Sequence, residues 1–251
     1  MLRINADDFG MSASINRAIL RCFEQRLITS ATLMANMQAF EDACRLTLAS
    51  GLDGKIGVHL NLTEGRPLLA ETERCRELCD ENGRFRRHRP WLLSRTARKL
   101  AESELTAQIR QCREHGIQVT HADSHQHVHN EPALLAVFCR VVRTAGIPEL
   151  RCARNSDRRS LLSLRRFYKG IANLYLSLQG LRATTYLGSV AGFVERHASG
   201  RWKGQSFEVL VHPEFDASGQ LFDHVEKMPL EACLLQLREL QETRLATARA
   251  A

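Results

Sequence analysis

No run of apolar residues in this 251-residue chain approaches the roughly 18 that a bilayer span requires, so no membrane span is expected. Aromatic residues are scarce, at 6%, and no nucleic-acid-binding motif is present, so no nucleic-acid partner is expected. The eight cysteines, at 22, 44, 75, 79, 112, 139, 152 and 233, contain no CxxC pair and read as structural or inert thiols. The opening MLRINADDFG places two aspartates where a secretory apolar segment would lie. No signal peptide is expected, and the expectation is a cytoplasmic chain with reduced thiols. Acidic residues are outnumbered, 28 against 35 Lys and Arg, for a net charge of +7. That excess suits acidic ligands or a solvated basic face.

What is present is ordinary globular composition, 44% hydrophobic and 25% charged, in a length that suits one domain over residues 1–251. Residues 2–6, 30–36 and 55–62 read as strands. Between them, Ile15, Ala18, Ile19, Cys22 and Phe23 recur at helical spacing, as do Ala39, Phe40, Ala43, Cys44 and Leu48. Later strands are expected at 118–123, 150–154 and 207–212, and helices at 131–145, 160–178 and 229–248. Repeated βα units imply an α/β fold with a parallel sheet, open or closed into a barrel. Residues 66–105 break the rhythm with Pro67, Pro90, Asn82-Gly83 and the basic stretch 84–89, and read as an insertion or lid.

Polar residues sit where apolar strands end: Asp7-Asp8, Asn36, His59, His212, and His125 just beyond Asp123. In parallel βα folds those ends converge on the active site. Adjacent carboxylates on a strand point to opposite faces. The Asp7-Asp8 pair makes sense as a cation ligand beside a base, or as a turn and helix cap. His121, Asp123, His125, His127 and His129 alternate and would share one face if extended. A change of chain direction near Ser124 would leave one or two as ligands. Glu208, four residues before His212, is placed to orient a site residue, pair with a cation or touch substrate. One Asp and two His form a three-ligand hydrolytic metal site open to water.

Three segments carry a resemblance: Asn5–Gly10 (NADDFG), Gly57–Leu60 with Thr63–Leu68, and Asp123–His129 (DSHQHVH), supported by 29–36 and 211–213. In these, the sequence resembles the YdjC-like carbohydrate deacetylases, which include chitooligosaccharide deacetylases and relatives from hopanoid gene clusters. The resemblance implies a distorted, seven-stranded (β/α) barrel of the glycoside hydrolase/deacetylase type, one divalent metal ion (Mg2+ or Zn2+), and removal of N-acetyl groups from an amino sugar. By position, Asp8, His59 and His125 would hold the metal. Asp7 would be the base, and His212 the acid or a stabiliser of the tetrahedral intermediate. Asn36 and Glu208 are assigned to substrate, and a homodimer is consistent with such proteins. Residues 67–105 do not match the family closely, and Glu214 stands where the family often has a small residue. Two other readings remain: a metal-free glycosidase pairing Asp7 with Glu208 or Asp123, and a noncatalytic carbohydrate- or polyanion-binding protein.

Overall fold

The computed structural model describes residues 1–87, 91–153, 155 and 164–250. In chain order the elements are β1 (Leu2–Phe9), α1 (Ala13–Glu24), β2 (Ser30–Leu33), α2 (Phe40–Ala49), β3 (Ile56–Leu60), α3 (Ala70–Glu73), α4 (Arg95–Glu114), β4 (Ala122–Ser124), a 3-10 segment (His125–Asn130), α5 (Leu135–Thr144), α6 (Leu164–Leu178), β5 (Tyr186–Gly188), α7 (Val190–Ala198), β6 (Phe207–Val211), β7 (Pro213–Phe215), β8 (Leu221–Asp223), β9 (Met228–Pro229) and α8 (Glu231–Ala250).

Six strands form one sheet in the order β4-β3-β2-β1-β6-β5, and every neighbouring pair is parallel. The sheet curls into a half-barrel. Beyond β4, Ala122 N donates to Glu149 O at 2.9 Å and Arg151 N to Ala122 O at 3.0 Å. The same segment reaches the other side, where Leu150 N donates to Arg182 O at 3.1 Å. The strand expected at 150–154 is therefore present only as isolated bridges. Arg154, and residues 160–163 of the expected helix 160–178, lie outside the described residues. The expectation missed α4, β5, α7 and the small antiparallel sheet β7-β8-β9.

Strand pleating divides the chain's polar and apolar groups. Ile4 and Ala6 of β1, with Phe207, Val209 and Val211 of β6, belong to the main core under the helices. Arg3, Asn5 and Asp7 bond to groups inside the curve. A small apolar plug, Cys152, Leu187 and Leu210, also lies apart from the main core. Helix starts follow capping chemistry: Ser12, Ser94 and Ser189 each accept a backbone N–H from the first turn of α1, α4 and α7, satisfying donors that a helix start leaves open. Gly57 is required by close strand approach. A Cβ there would lie 2.6 Å from His121 O.

The insertion is regular at both ends. It holds α3 and the first half of α4, and Glu104 of α4 accepts Leu68 N and Leu69 N at 2.9 and 3.0 Å. Its basic stretch reaches the site through Arg87, which pairs with Glu64 at 2.7 Å. His88 and Arg89 lie outside the described residues. Among the described residues, no helix is long and apolar enough to cross a membrane, and all eight cysteines are free thiols.

Candidate active site

A cavity of about 700 Å3 opens at the C-terminal edge of the sheet, lined by Asp7, Asp8, His59, His125, His127 and His212, among others. Simple pleating would have separated Asp7 from Asp8. The structure brings both to the cavity because β1 is irregular between Ala6 and Phe9 in its pairing with β2, and Asp8 takes φ +68°. A left-handed aspartate in a strand is costly; here it turns the second carboxylate inward.

Three donors converge on one point. Asp8 Oδ1 lies 3.2 Å from His59 Nε2 and 2.9 Å from His125 Nδ1. The three side chains offer ligand atoms all within 4.8 Å of one another. His125 follows β4 directly, and the chain then reverses through Gln126 and His127, both at positive φ (51° and 55°). This is the expected change of direction near Ser124. It sends His129 away, where its Nδ1 lies 2.5 Å from Ser124 Oγ. His121, before β4, meets Asn5 Oδ1 at 3.1 Å. Of the five alternating residues, His125 and His127 line the cavity.

His59 is oriented from behind. Its Nδ1 donates to Asp123 Oδ1 at 2.6 Å, and Thr32 Oγ1 donates to Asp123 Oδ2 at 3.0 Å. A carboxylate on the far nitrogen of an imidazole fixes the ring so that its other nitrogen faces the ligand position. Burial works against a charge on His59, but Asp123, Asp8 and Asp7 overcome it and push its pKa up to about 10. The Asp8 carboxyl, though buried, is held well below the usual range by His125 and His59. Asp8 thus carries its negative charge at the point where the three side chains meet. Two imidazole nitrogens and a carboxylate oxygen are a donor set suited to a divalent cation, so these residues fit the metal that the sequence implied.

The sequence reading missed Arg151, the largest fully buried side chain among the described residues. Its guanidinium donates to Asp7 Oδ2 and Oδ1 at 2.6 and 2.7 Å and to Glu208 Oε1 at 2.7 Å, and lies 2.7 Å from Asp123 Oδ2. Asp7 also accepts from Asn5 Nδ2 at 2.9 Å. Burial pushes the Asp7 carboxyl upward, yet the charge and hydrogen bonds of Arg151 hold it below the ordinary range. A second acid-and-imidazole group, Asp7, His59 and Asp123, also comes together, but Arg151 already bridges its two carboxylates. The only sequence-level signal for Arg151 is the number of carboxylates that buried strand ends would leave without a counter-charge.

His212, after β6, sits with Nε2 3.9 Å from Asp7 Oδ2 and Nδ1 3.5 Å from Asp223 Oδ1. Burial lowers its pKa, but Asp223, Asp7 and Asp8 raise it overall. Another missed residue is His224, just after β8. Its Nε2 lies 3.7 Å from Asp8 Oδ2 and its Nδ1 3.9 Å from Glu214 Oε2. No motif around His224 marks it, since the small hairpin alone places it there. Asn36 and Glu208, expected at substrate, sit elsewhere. Asn36 donates to the carbonyls of Glu64 and Arg66 at 3.1 and 2.8 Å and accepts from Asn61, so it shapes the loop after β3. Glu208 is fully buried against Arg151. Neither lines the cavity.

A parallel α/β half-barrel with acids and imidazoles at its C-terminal edge is the architecture of a βα-type enzyme. The chain belongs to the YdjC-like protein family, whose model matches residues 1–247. Similar proteins include a carbohydrate deacetylase of Brevibacillus brevis, 39% identical over 59% of this chain and 57% of that one. Another, from Geobacillus stearothermophilus, is 34% identical over 84% of this chain and 78% of its own length. A third, from Listeria monocytogenes, is 31% identical over 94% and 91%. Against the Brevibacillus protein the chain spans little more than half its length. A solved structure from Enterococcus faecalis V583, described as a cellobiose-phosphate cleavage protein, shares the fold with a TM-score of 0.73. It is 24% identical and covers 97% of this chain and 94% of that one.

Proposed function

We propose that this chain is a carbohydrate deacetylase that hydrolyses the N-acetyl group of an amino sugar with the help of one divalent cation. The observation that carries the reading is the meeting of Asp8, His59 and His125 on one carboxylate oxygen beside Asp7, in a cavity large enough for a sugar. The names of the similar deacetylases support the same chemistry. Asp8, His59 and His125 would hold the cation, Zn2+ or Mg2+. Such a cation supplies Lewis-acid polarisation of a carbonyl and makes water easier to deprotonate.

The chain's own groups account for the proton transfers. Asp7 stays ionised because Arg151 is fixed against both of its oxygens, so it is available to take a proton from water. Its carboxylate is also held in one orientation, which favours a reactive geometry. His212, whose pKa Asp223 and the two site aspartates raise against the effect of burial, faces Asp7 and is placed to give a proton to the departing amine. In this reading the half-barrel is a distorted seven-stranded barrel in which 148–151 takes one strand's place. Eight free cysteines fit a reducing cytoplasm.

The metal-free glycosidase reading loses its second acid, because neither Glu208 nor Asp123 lines the cavity that Asp7 faces. Acetate release from N-acetylated mono- and oligosaccharides, with and without chelator, tests the proposal. Activity should vanish on chelation and return with added divalent cation. Asp7→Asn should lower turnover by about 10²–10⁴-fold while cation stays bound, and His125→Ala should lose the cation. Full activity in either variant would contradict the assignment.

A further inference from the structure

The hairpin of β7 and β8 sets a second imidazole beside that of His212. Glu214 of β7 pairs opposite Phe222 of β8, so His224, two residues further on, is its diagonal neighbour on the same face. The backbone is fixed on both sides of His224. Its N donates to His212 O at 3.1 Å, and His212 N donates to Asp223 Oδ2 at 2.9 Å. Asp223 Oδ1 accepts Val225 N and Glu226 N at 3.0 and 2.8 Å. The two rings stand edge to face with centroids 5.6 Å apart, and both line the cavity.

The result is two neighbouring rows of acid, imidazole and acid. In one, His212 lies between Asp223 and Asp7. In the other, His224 lies between Glu214 and Asp8, with Nδ1 3.9 Å from Glu214 Oε2 and Nε2 3.7 Å from Asp8 Oδ2. His224 Nδ1 is a buried atom without a hydrogen-bond partner among the described residues, and such an atom calls for an explanation. His212 has a task in the proposed chemistry; His224 has none.

We infer that His224 is a positioning residue for Asp8: its Nε2–H holds Oδ2 and leaves Oδ1 to the cation. This rests on the cation site proposed above. Asp8 Oδ1 is the oxygen that His59 Nε2 and His125 Nδ1 approach, at 3.2 and 2.9 Å. With Oδ2 unheld, the carboxylate could turn about its last bond and exchange its oxygens, because that torsion is broad and two-fold. Ligating carboxylates take an outer hydrogen bond as ligating histidines do, and His59 already has its own in Asp123. His224 holds a ligand rather than joining the set, since it falls outside the group whose ligand atoms all lie within 4.8 Å of one another. The separation from Asp8 exceeds a hydrogen bond by less than about 1 Å, and such contacts are often long before a ligand binds and tighten when it does. A carboxylate oxygen only accepts, so the nitrogen facing it is the one that donates.

Calorimetric titration of the full chain, stripped of metal and titrated with Zn2+ alone, tests this without a turnover assay. The wild type should take up one ion, and His125→Ala should remove that isotherm. His224→Ala should weaken binding roughly 10–100-fold. His224→Gln, which restores an N–H donor at similar reach, should recover most of the loss. A ring that only filled space, or competed with the cation for Asp8, would on removal leave the affinity unchanged or raise it. With the metal stripped, the wild type and both His224 variants should melt together, so a weaker isotherm reads positioning and not unfolding. Wild-type affinity in His224→Ala overturns the inference alone, as does a loss that His224→Gln fails to recover. So does a stripped His224→Ala that melts well below the wild type, since the role would then be structural. A wild type that takes up no ion, or an isotherm that His125→Ala leaves intact, overturns the inference together with the cation site beneath it.

Discussion

Arg151 is the residue on which the site's electrostatics turn. Three buried carboxylates, from Asp7, Asp123 and Glu208, converge on its guanidinium, and burial by itself pushes the carboxyls of Asp7 and Glu208 up. Breaking such a cluster by removing the cation leaves unpaired buried charge. Arg151→Met should therefore lower stability by about 3–5 kcal/mol at neutral pH, measured by denaturant unfolding. The loss should shrink as pH falls, because the orphaned acids can then fold protonated. His212 carries a second residue-scale prediction. Its raised pKa rests first on Asp223 among the groups that oppose burial, and a general acid works only while protonated. Activity should fall as pH rises through the His212 pKa. Asp223→Asn should move that alkaline limb to lower pH in a pH–rate profile of acetate release. A limb that stays in place would remove His212 from the acid's role.

At the scale of elements, the site depends on irregular ends of regular strands. Asp8 reaches the cavity through a left-handed residue and a shifted pairing in β1, and His125 through the reversal after β4. That Asp7, Asp8, His59 and His125 would share one cavity was legible because each stands at or just beyond the end of an apolar strand, and parallel topology brings such ends together. The bulge at Asp8 was not legible, since φ is set by tertiary contacts rather than by the dipeptide. The strand expected at 150–154 was legible only in part, since Leu150-Arg151-Cys152 looks like any short strand whereas the segment pairs through single bridges. His224 was hidden because the β7-β8-β9 hairpin brings it to Asp8 from a stretch without periodicity. Spacing along β3 carries its own prediction. Gly57→Ala would drive a Cβ to 2.6 Å from the neighbouring backbone oxygen of His121. It should cost about 1–3 kcal/mol, seen as a lower denaturant midpoint, because a paired strand cannot yield as a flexible side chain can.

For the whole molecule, the curved sheet separates two environments: an apolar layer beneath the helices and a polar interior that ends in the cavity. The helices hold the shape, and the interior concentrates four acids, Arg151 and several histidines where bulk water does not screen them. In the proposed reading a cation held by Asp8, His59 and His125 would leave Asp7 and His212 facing the same cavity. Crystals grown with Zn2+ and measured at its absorption edge would locate that cation directly. The account predicts one anomalous peak about 2.0–2.2 Å from Asp8 Oδ1, His59 Nε2 and His125 Nδ1, with Asp7 still held by Arg151. A peak bound by other residues, or none at those three side chains, would contradict it.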